Sequence, residues 1–391
     1  MAKICFYFQL HQPLRIRPFS VFEIGTHTPY FDQAENRRIL EAVSRNSYQP
    51  FLTILEKLAQ DKETGFKAAF SLSGMIIEQL EAWQANVIER FKGLAQAGAA
   101  EFLAETYYHS LAFEFSRTEF QRQIDMQAEK IRDLFGQTPT VFRNTELLFH
   151  NPMAYFLKQA GYKGQIVEGA AQLMQGKSSN QLYHAMHMPD FPLITRNFSL
   201  SDDLAFRFSD KNWELFPLTV ESFADLVDQQ DGKNICIALD FESFGEHQSA
   251  DTGIFDFFAA LPKELKARGH EFVFPSELIA SETPQSSLDA YHPVSWADQE
   301  KDGSAWMGNP RQKEALRKVY ELEGIVKESQ DQGLLQTWSY LQCSDHFYYM
   351  ANKSGSDQEV HQHFNPFESE QKAYMHFMNL IADFQISLRE I

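Results

Sequence analysis

Apolar and polar positions follow two different periods along the first 280 residues. Short runs rich in β-branched and aromatic side chains lie at 4–10, 67–71, 101–104, 140–142, 165–167, 191–195, 234–239 and 271–274. They are too short for helices and read as strands. Longer segments between them carry helical spacing. Residues 50–60 place Phe51, Ile54, Leu55 and Leu58 at i, i+3, i+4 and i+7, and 120–135 place Ile124, Ala128, Ile131 and Phe135 on one face. Strand–helix alternation of this kind belongs to a parallel α/β barrel or to an open doubly wound sheet.

The polar residues that follow the runs favour the barrel. Run 4–10 leads into His11, Gln12 and Pro13. Run 101–104 leads into Glu105, Tyr107, Tyr108 and His109, run 140–142 into Arg143, Asn144 and Glu146, and run 234–239 into Asp240 and Glu242. A barrel gathers all these ends on one face, whereas an open sheet uses only the strands at its switch point. No glycine-rich phosphate loop follows any run, so nucleotide-binding sheets lose support. The expectation is an irregular barrel of seven or eight strands.

The pattern changes near residue 281. Residues 281–302 are rich in Ser, Pro and Asp and read as a linker. Asn309 and Pro310 then look like a helix cap and first turn. Ala315, Val319, Leu322 and Val326 predict one helix, and Leu334, Trp338, Leu341 and Asp345 a second. Ala373, Phe377, Leu380, Phe384 and Leu388 predict a third. The division expected is a β/α barrel over 1–285, then a linker and helical bundle over 286–391 that completes a substrate cleft.

Charge removes some partners. The chain of 391 residues carries 35 Lys and Arg against 53 Asp and Glu, a net of −18, which repels nucleic acid and anionic membrane surfaces. Three cysteines form no disulfide framework or Cys-x-x-Cys site, and neither a signal segment nor a membrane-spanning run is evident. A cytoplasmic protein is expected. The 35 Phe are core fillers first and stacking surfaces second.

Glu146 and Asp240 each sit just past an apolar run. Two carboxylates from different strands facing one pocket are what glycoside hydrolysis requires, although acids at strand ends also serve as helix caps and ion-pair partners. Glu242, on the same strand face as Asp240, either raises the proton affinity of Asp240 by like-charge repulsion or pairs with an Arg. His11 and His109 are candidate substrate contacts or structural hydrogen-bonding residues. Trp296 and Trp306 suit sugar stacking or pin the linker to the barrel. A deacetylase-type metal centre would need an Asp and two His, and no His-x-x-x-His pair stands at a strand end. No metal or other cofactor is expected.

Five segments resemble the signatures of glycoside hydrolase family 57, the α-amylase and 4-α-glucanotransferase family. They are Phe6 to Pro13, Glu101 to Leu111, Phe142 to Glu146, Asp240 to Gly245, and Leu341 to Met350. The resemblance implies an irregular seven-stranded β/α barrel with a C-terminal helical domain. It implies Glu146 as nucleophile and Asp240 as acid/base of a retaining enzyme on α-1,4-glucans or maltooligosaccharides. His11, Gln12, His109, Arg143, Glu242, Trp296, Trp306, Asp345 and His346 become the expected substrate contacts. Phe142 and Arg143 stand where many glucanotransferases carry Trp, and Phe241 where they carry Gly, which points to the α-amylase-like branch. A 4-α-glucanotransferase and a non-catalytic glucan-binding protein remain the alternatives.

Overall fold

The computed structural model describes residues 1–389. Seven parallel strands form a ring: β1 (Lys3–Leu10), β2 (Ala68–Leu72), β3 (Ala100–Phe102), β4 (Val141–Arg143), β5 (Gly164–Glu168), then β7 (Met188–Arg196) and β8 (Asn234–Asp240), which returns to β1. Between β3 and β4 the ring closes through a single bridge. The Ala104 N–H donates to Val141 O at 3.0 Å and the Arg143 N–H to Ala104 O at 2.9 Å. The β7–β8 join is equally thin, with Arg196 opposite Cys236. These two weak joins make the barrel irregular. A short strand β6 (Leu182–Ala185) runs antiparallel to β7, β9 (Glu271–Phe272) lies beside the first residues of β1, and β10 (Ser287–Leu288) pairs with β6. The hydrophobic pattern alone does not reveal β6 and β10.

Strand alternation sorts the side chains into two layers. Cys5 and Tyr7 of β1 join Ala69, Val141, Ile166, Ile194, Cys236 and Ala238 in the barrel interior. Phe6 and Phe8 point the other way, into a cluster with Phe51, Phe70, Phe241, Phe244 and Phe258 beneath the helices. Much of the phenylalanine excess is thereby absorbed. Phe51, from the helix Gln49–Gln60, stacks on Phe244 with ring centroids 4.0 Å apart and meets Phe258 edge-on at 5.1 Å. It is fully buried. Phe51→Ala is expected to cost about 3–5 kcal/mol, because the rigid rings around it collapse poorly into the space. A lower urea midpoint would register this, and an unchanged midpoint would contradict the packing described.

Helix Pro310–Glu321 opens as expected, with the Asn309 side chain accepting from the Gln312 N–H at 3.0 Å. The predicted second helix is in fact two. Gln332–Tyr340 stops, and Ser344–Tyr348 starts afresh after a turn through Leu341, Gln342 and Cys343. In that turn Cys343 bridges to Ser110, and the Ser344 N–H donates to His109 O at 3.0 Å. The break therefore lets the chain reach the barrel rim, and Asp345 sits on the short helix instead of the long one. Helix Glu370–Ser387 follows its predicted stripe. Trp306, Val319, Phe347 and Phe377 share one apolar cluster with Phe120, Phe142, Phe149 and Met153 from the barrel's flank. Barrel and C-terminal helices are thus joined by a common core. No helix among the described residues is long and apolar enough to cross a membrane.

Candidate active site

Glu146 lies in a single turn of 3-10 helix, Thr145–Leu147, three residues past the end of β4. Its φ of 55° puts it in the left-handed region, as do 52° at Leu147 and 49° at His109. Such backbone costs roughly 1–3 kcal/mol per residue and persists only where surrounding contacts impose it. Here they do. The Glu146 carbonyl accepts from Ser295 Oγ at 3.0 Å, and its carboxylate accepts from Trp296 Nε1 at 2.7 Å and faces His109 Nε2 at 2.7 Å. Gln9 Nε2 adds a contact at 3.4 Å.

Beneath Glu146 runs a buried charge ladder. His109 Nδ1 lies 3.2 Å from Glu105, and Arg143 Nη1 lies 3.1 Å from the same carboxylate oxygen. Burial opposes a charge on His109, but the Glu105 and Glu146 carboxylates outweigh it and raise its pKa to about 9. Burial likewise raises the proton affinity of Glu146. The hydrogen bond and charge of His109, with Arg143 and Trp296, outweigh that and hold it below its ordinary range. A carboxylate kept ionised, fixed and one-fifth exposed is suited to attack an electrophilic carbon.

Asp240 ends β8, opposite Gln9 in the register and on the same strand face as Cys236 and Ala238. Burial raises its pKa, and the Glu146 charge raises it further, to about 7. The structure therefore pushes two carboxyls of one site apart, one toward the anion and one toward the acid. Glu146 acts on Asp240 from across the site, and Glu242 and Asp240 repel each other's charge along the chain. Glu242 does not continue the strand. It turns into the 3-10 segment Phe241–Ser243, where it accepts from the Tyr48 hydroxyl and from Gln12 Nε2 at 3.4 Å. Burial and the Asp240 charge raise its own pKa to about 8. Gly245, with φ 109°, closes this loop against Asn46, whose carbonyl oxygen would lie 2.1 Å from any Cβ.

The pKa pattern predicts a pH profile. It applies to any turnover that uses Glu146 as the anion and Asp240 as the acid. The rate should fall as pH rises through about 7, where Asp240 loses its proton. On the acid side it should hold until Glu146 is protonated, below its ordinary 4.5. Measuring kcat/KM against pH reads both limbs in the free enzyme. Glu146→Gln removes the neighbouring negative charge and should lower the Asp240 pKa, as read by carboxyl NMR. An unmoved value would contradict the coupling.

The remaining expected contacts divide into two groups. His11 stacks on His109 with centroids 3.9 Å apart and places Nε2 3.0 Å from Asp345 Oδ2, so the short C-terminal helix does reach the site. Gln12 is half-buried between Glu242 and Arg15, whose Nη2 donates to Gln12 Oε1 at 3.0 Å. Trp296 borders the site through Glu146. The other four are buried. His109 and Arg143 are fully buried and support the carboxylates from below instead of lining a sugar rim. Trp306 is 1% exposed inside the helical core and has no free face for a sugar. His346 packs near Phe377 with Nε2 3.3 Å from Tyr340 O, and burial lowers its pKa to about 4. Glu105 and Gln9 were not assigned from sequence. Alternation along their strand ends, inward with Leu103 and Tyr7, is the signal that marks them.

A family model described as glycosyl hydrolase family 57 matches residues 5–290, a span that holds Glu146 and Asp240. The "Putative alpha-amylase" of Methanocaldococcus jannaschii is 33% identical over 403 aligned positions, which cover 99% of this chain and 85% of that protein. The chain belongs to glycosyl hydrolase family 57. Among solved structures, the GH57-type branching enzyme of Pyrococcus horikoshii superposes with a TM-score of 0.69 at 15% identity, covering 96% of this chain and 88% of that one. The 4-alpha-glucanotransferase of Thermococcus litoralis gives 0.67 at 17% identity, covering 89% of this chain and 56% of that one. At these identities the superpositions speak for the fold, a barrel followed by helices.

Proposed function

We propose that this family 57 member is a retaining enzyme acting on α-1,4-glucans. Glu146 attacks the anomeric carbon while Asp240 gives its proton to the departing glycosidic oxygen. The bond to the leaving sugar breaks as the Glu146 ester bond forms. Asp240, now ionised, takes a proton from water, whose oxygen displaces Glu146. Two displacements restore the configuration. The observation that carries this reading is the opposed proton affinities of Glu146 and Asp240, set by His109 and Arg143 on one side and by burial on the other. The amylase name of the M. jannaschii relative supports a glucan substrate. Similarity to the T. litoralis protein named a 4-alpha-glucanotransferase, 22% identical over 231 residues, favours transfer to a sugar hydroxyl as the second reading.

Both readings share every step except the acceptor, so products separate them. The pure protein is incubated with maltooligosaccharides and the products are resolved by chain length. Shorter sugars with a matching rise in reducing ends support hydrolysis. Longer chains at constant reducing ends support transfer. No change in any chain length, with sugar still bound, would overturn both in favour of a glucan-binding protein.

A further inference from the structure

His11 and Cys343 stand 332 positions apart in sequence, yet their donor atoms meet Asp345 at one point above the barrel. His11 Nε2 lies 3.0 Å from Asp345 Oδ2, Cys343 Sγ lies 3.2 Å from the same oxygen, and Sγ lies 3.6 Å from Nε2. We propose that His11, Cys343 and Asp345 form a binding site for a borderline-soft divalent cation, zinc being the best match, at the mouth of the barrel beside Glu146 and Asp240.

The donor set and its edges carry the proposal. Zinc takes thiolate sulfur at about 2.3 Å and nitrogen or carboxylate oxygen at about 2.0–2.2 Å, so a tetrahedron sets its donors about 3.3–3.6 Å apart. The sulfur–nitrogen edge already fits, and the two edges at Asp345 need to open by a few tenths of an ångström. One nitrogen, one sulfur and one oxygen suit zinc better than magnesium or calcium, which favour all-oxygen shells.

Each donor is also aimed. Ser73 Oγ lies 2.7 Å from His11 Nδ1, which leaves Nε2 for the ion, the usual outer contact of a ligating histidine. Ser73 is itself fixed as the cap of helix Gly74–Trp83. Cys343 is held by its bridge to Ser110, and Asp345 lies in the first turn of the next helix. The Asp345 side chain is 24% exposed and His11 6%, so the approach is from the cleft.

Charge balance permits the ion. A thiolate, a carboxylate and a neutral imidazole cancel two positive charges. The site then presents no net charge to the His109 ring stacked on His11. Arg15 faces Cys343 and Glu105 faces His11, so one charge of each sign stands beside the site. On binding, the Cys343 thiol proton is released to solvent and the imidazole proton is carried on Nδ1 toward Ser73 Oγ. One proton leaves per ion, and no redox step is involved.

Binding does not depend on the proposed glucan chemistry, but its consequence does. His11 and Asp345 are expected sugar contacts, so a bound ion would exclude the sugar there. Zinc is therefore an inhibitor in this account, and a chelator should not lower activity. Co²⁺ is the direct probe, added to the full-length protein under thiol-free reducing conditions. The expected result is one ion per chain, a sulfur-to-cobalt charge-transfer band, and displacement by one equivalent of Zn²⁺. Cys343→Ala should abolish the band and weaken zinc by at least about 100-fold. Ser73→Ala, which keeps all three donors, should weaken zinc by roughly 10–100-fold. Circular dichroism and thermal midpoints confirm that the variants are folded. If the wild type hydrolyses or transfers glucans, zinc should inhibit it and leave Cys343→Ala unaffected. Absence of the cobalt band, or zinc binding equally tight in folded Cys343→Ala, would overturn the site. A band without any glucan activity would leave the site standing and count against the glucan reading alone.

Discussion

Glu146→Gln should lower kcat on maltooligosaccharides by roughly 10⁴-fold or more, with the fold intact. The substitution keeps the size of the side chain and an oxygen for Trp296 or His109, but removes the anion that in the proposed mechanism bonds to carbon. His109 loses one of its two carboxylate partners, so its proton affinity should fall as well. A thermal midpoint close to that of the unaltered protein separates loss of chemistry from loss of structure. Glu146→Gly adds a sharper test, because azide can enter from the side the carboxylate occupied. An α-glucoside with a good leaving group should then give the β-glucosyl azide. Near-normal turnover in Glu146→Gln would remove the nucleophile from the account.

Asp240→Asn should cost about 10²–10⁴ in rate, the usual worth of a positioned general acid–base. The loss should depend on the substrate, as the Glu146 loss should not. A glucosyl fluoride departs without protonation, so Glu146 can still be glycosylated. The second step lacks its base, and the ester on Glu146 should accumulate for detection by mass spectrometry. An equal loss for fluoride and maltooligosaccharide, with no trapped ester, would argue that Asp240 positions the sugar instead of moving a proton. The alkaline limb near pH 7 should vanish in this variant, since the group that sets it is gone.

What the chain reveals before folding follows from which interactions are local. The strand ends are legible because an apolar run followed by His11, Glu105, Glu146 or Asp240 marks a buried segment emerging into a polar place. Sequence does not tell whether such a residue faces the cleft or lies below it. The burial of His109 and Arg143 against Glu105 is therefore not legible in the sequence. The burial of Trp306 and His346 escapes the sequence for a related reason. Their flanking helices are legible, but the face each helix turns inward is decided by the common core with the barrel. The break at 341–343 is invisible to helical periodicity because a bridge to Ser110 imposes it. Sequence leaves Trp296 open between stacking on a sugar and pinning the linker, and its indole N–H donates to Glu146. The meeting of Cys343 with His11 depends on the whole fold, and no local spacing announces it.

The central claim is a double displacement at Glu146 assisted by Asp240. Proton NMR of the first sugar released from a maltooligosaccharide tests it most directly, before mutarotation scrambles the anomers. The account predicts that the new reducing end, or the new linkage if a sugar is the acceptor, appears first as the α-anomer. Initial appearance of the β-anomer would mean a single displacement by water and would contradict the role assigned to Glu146.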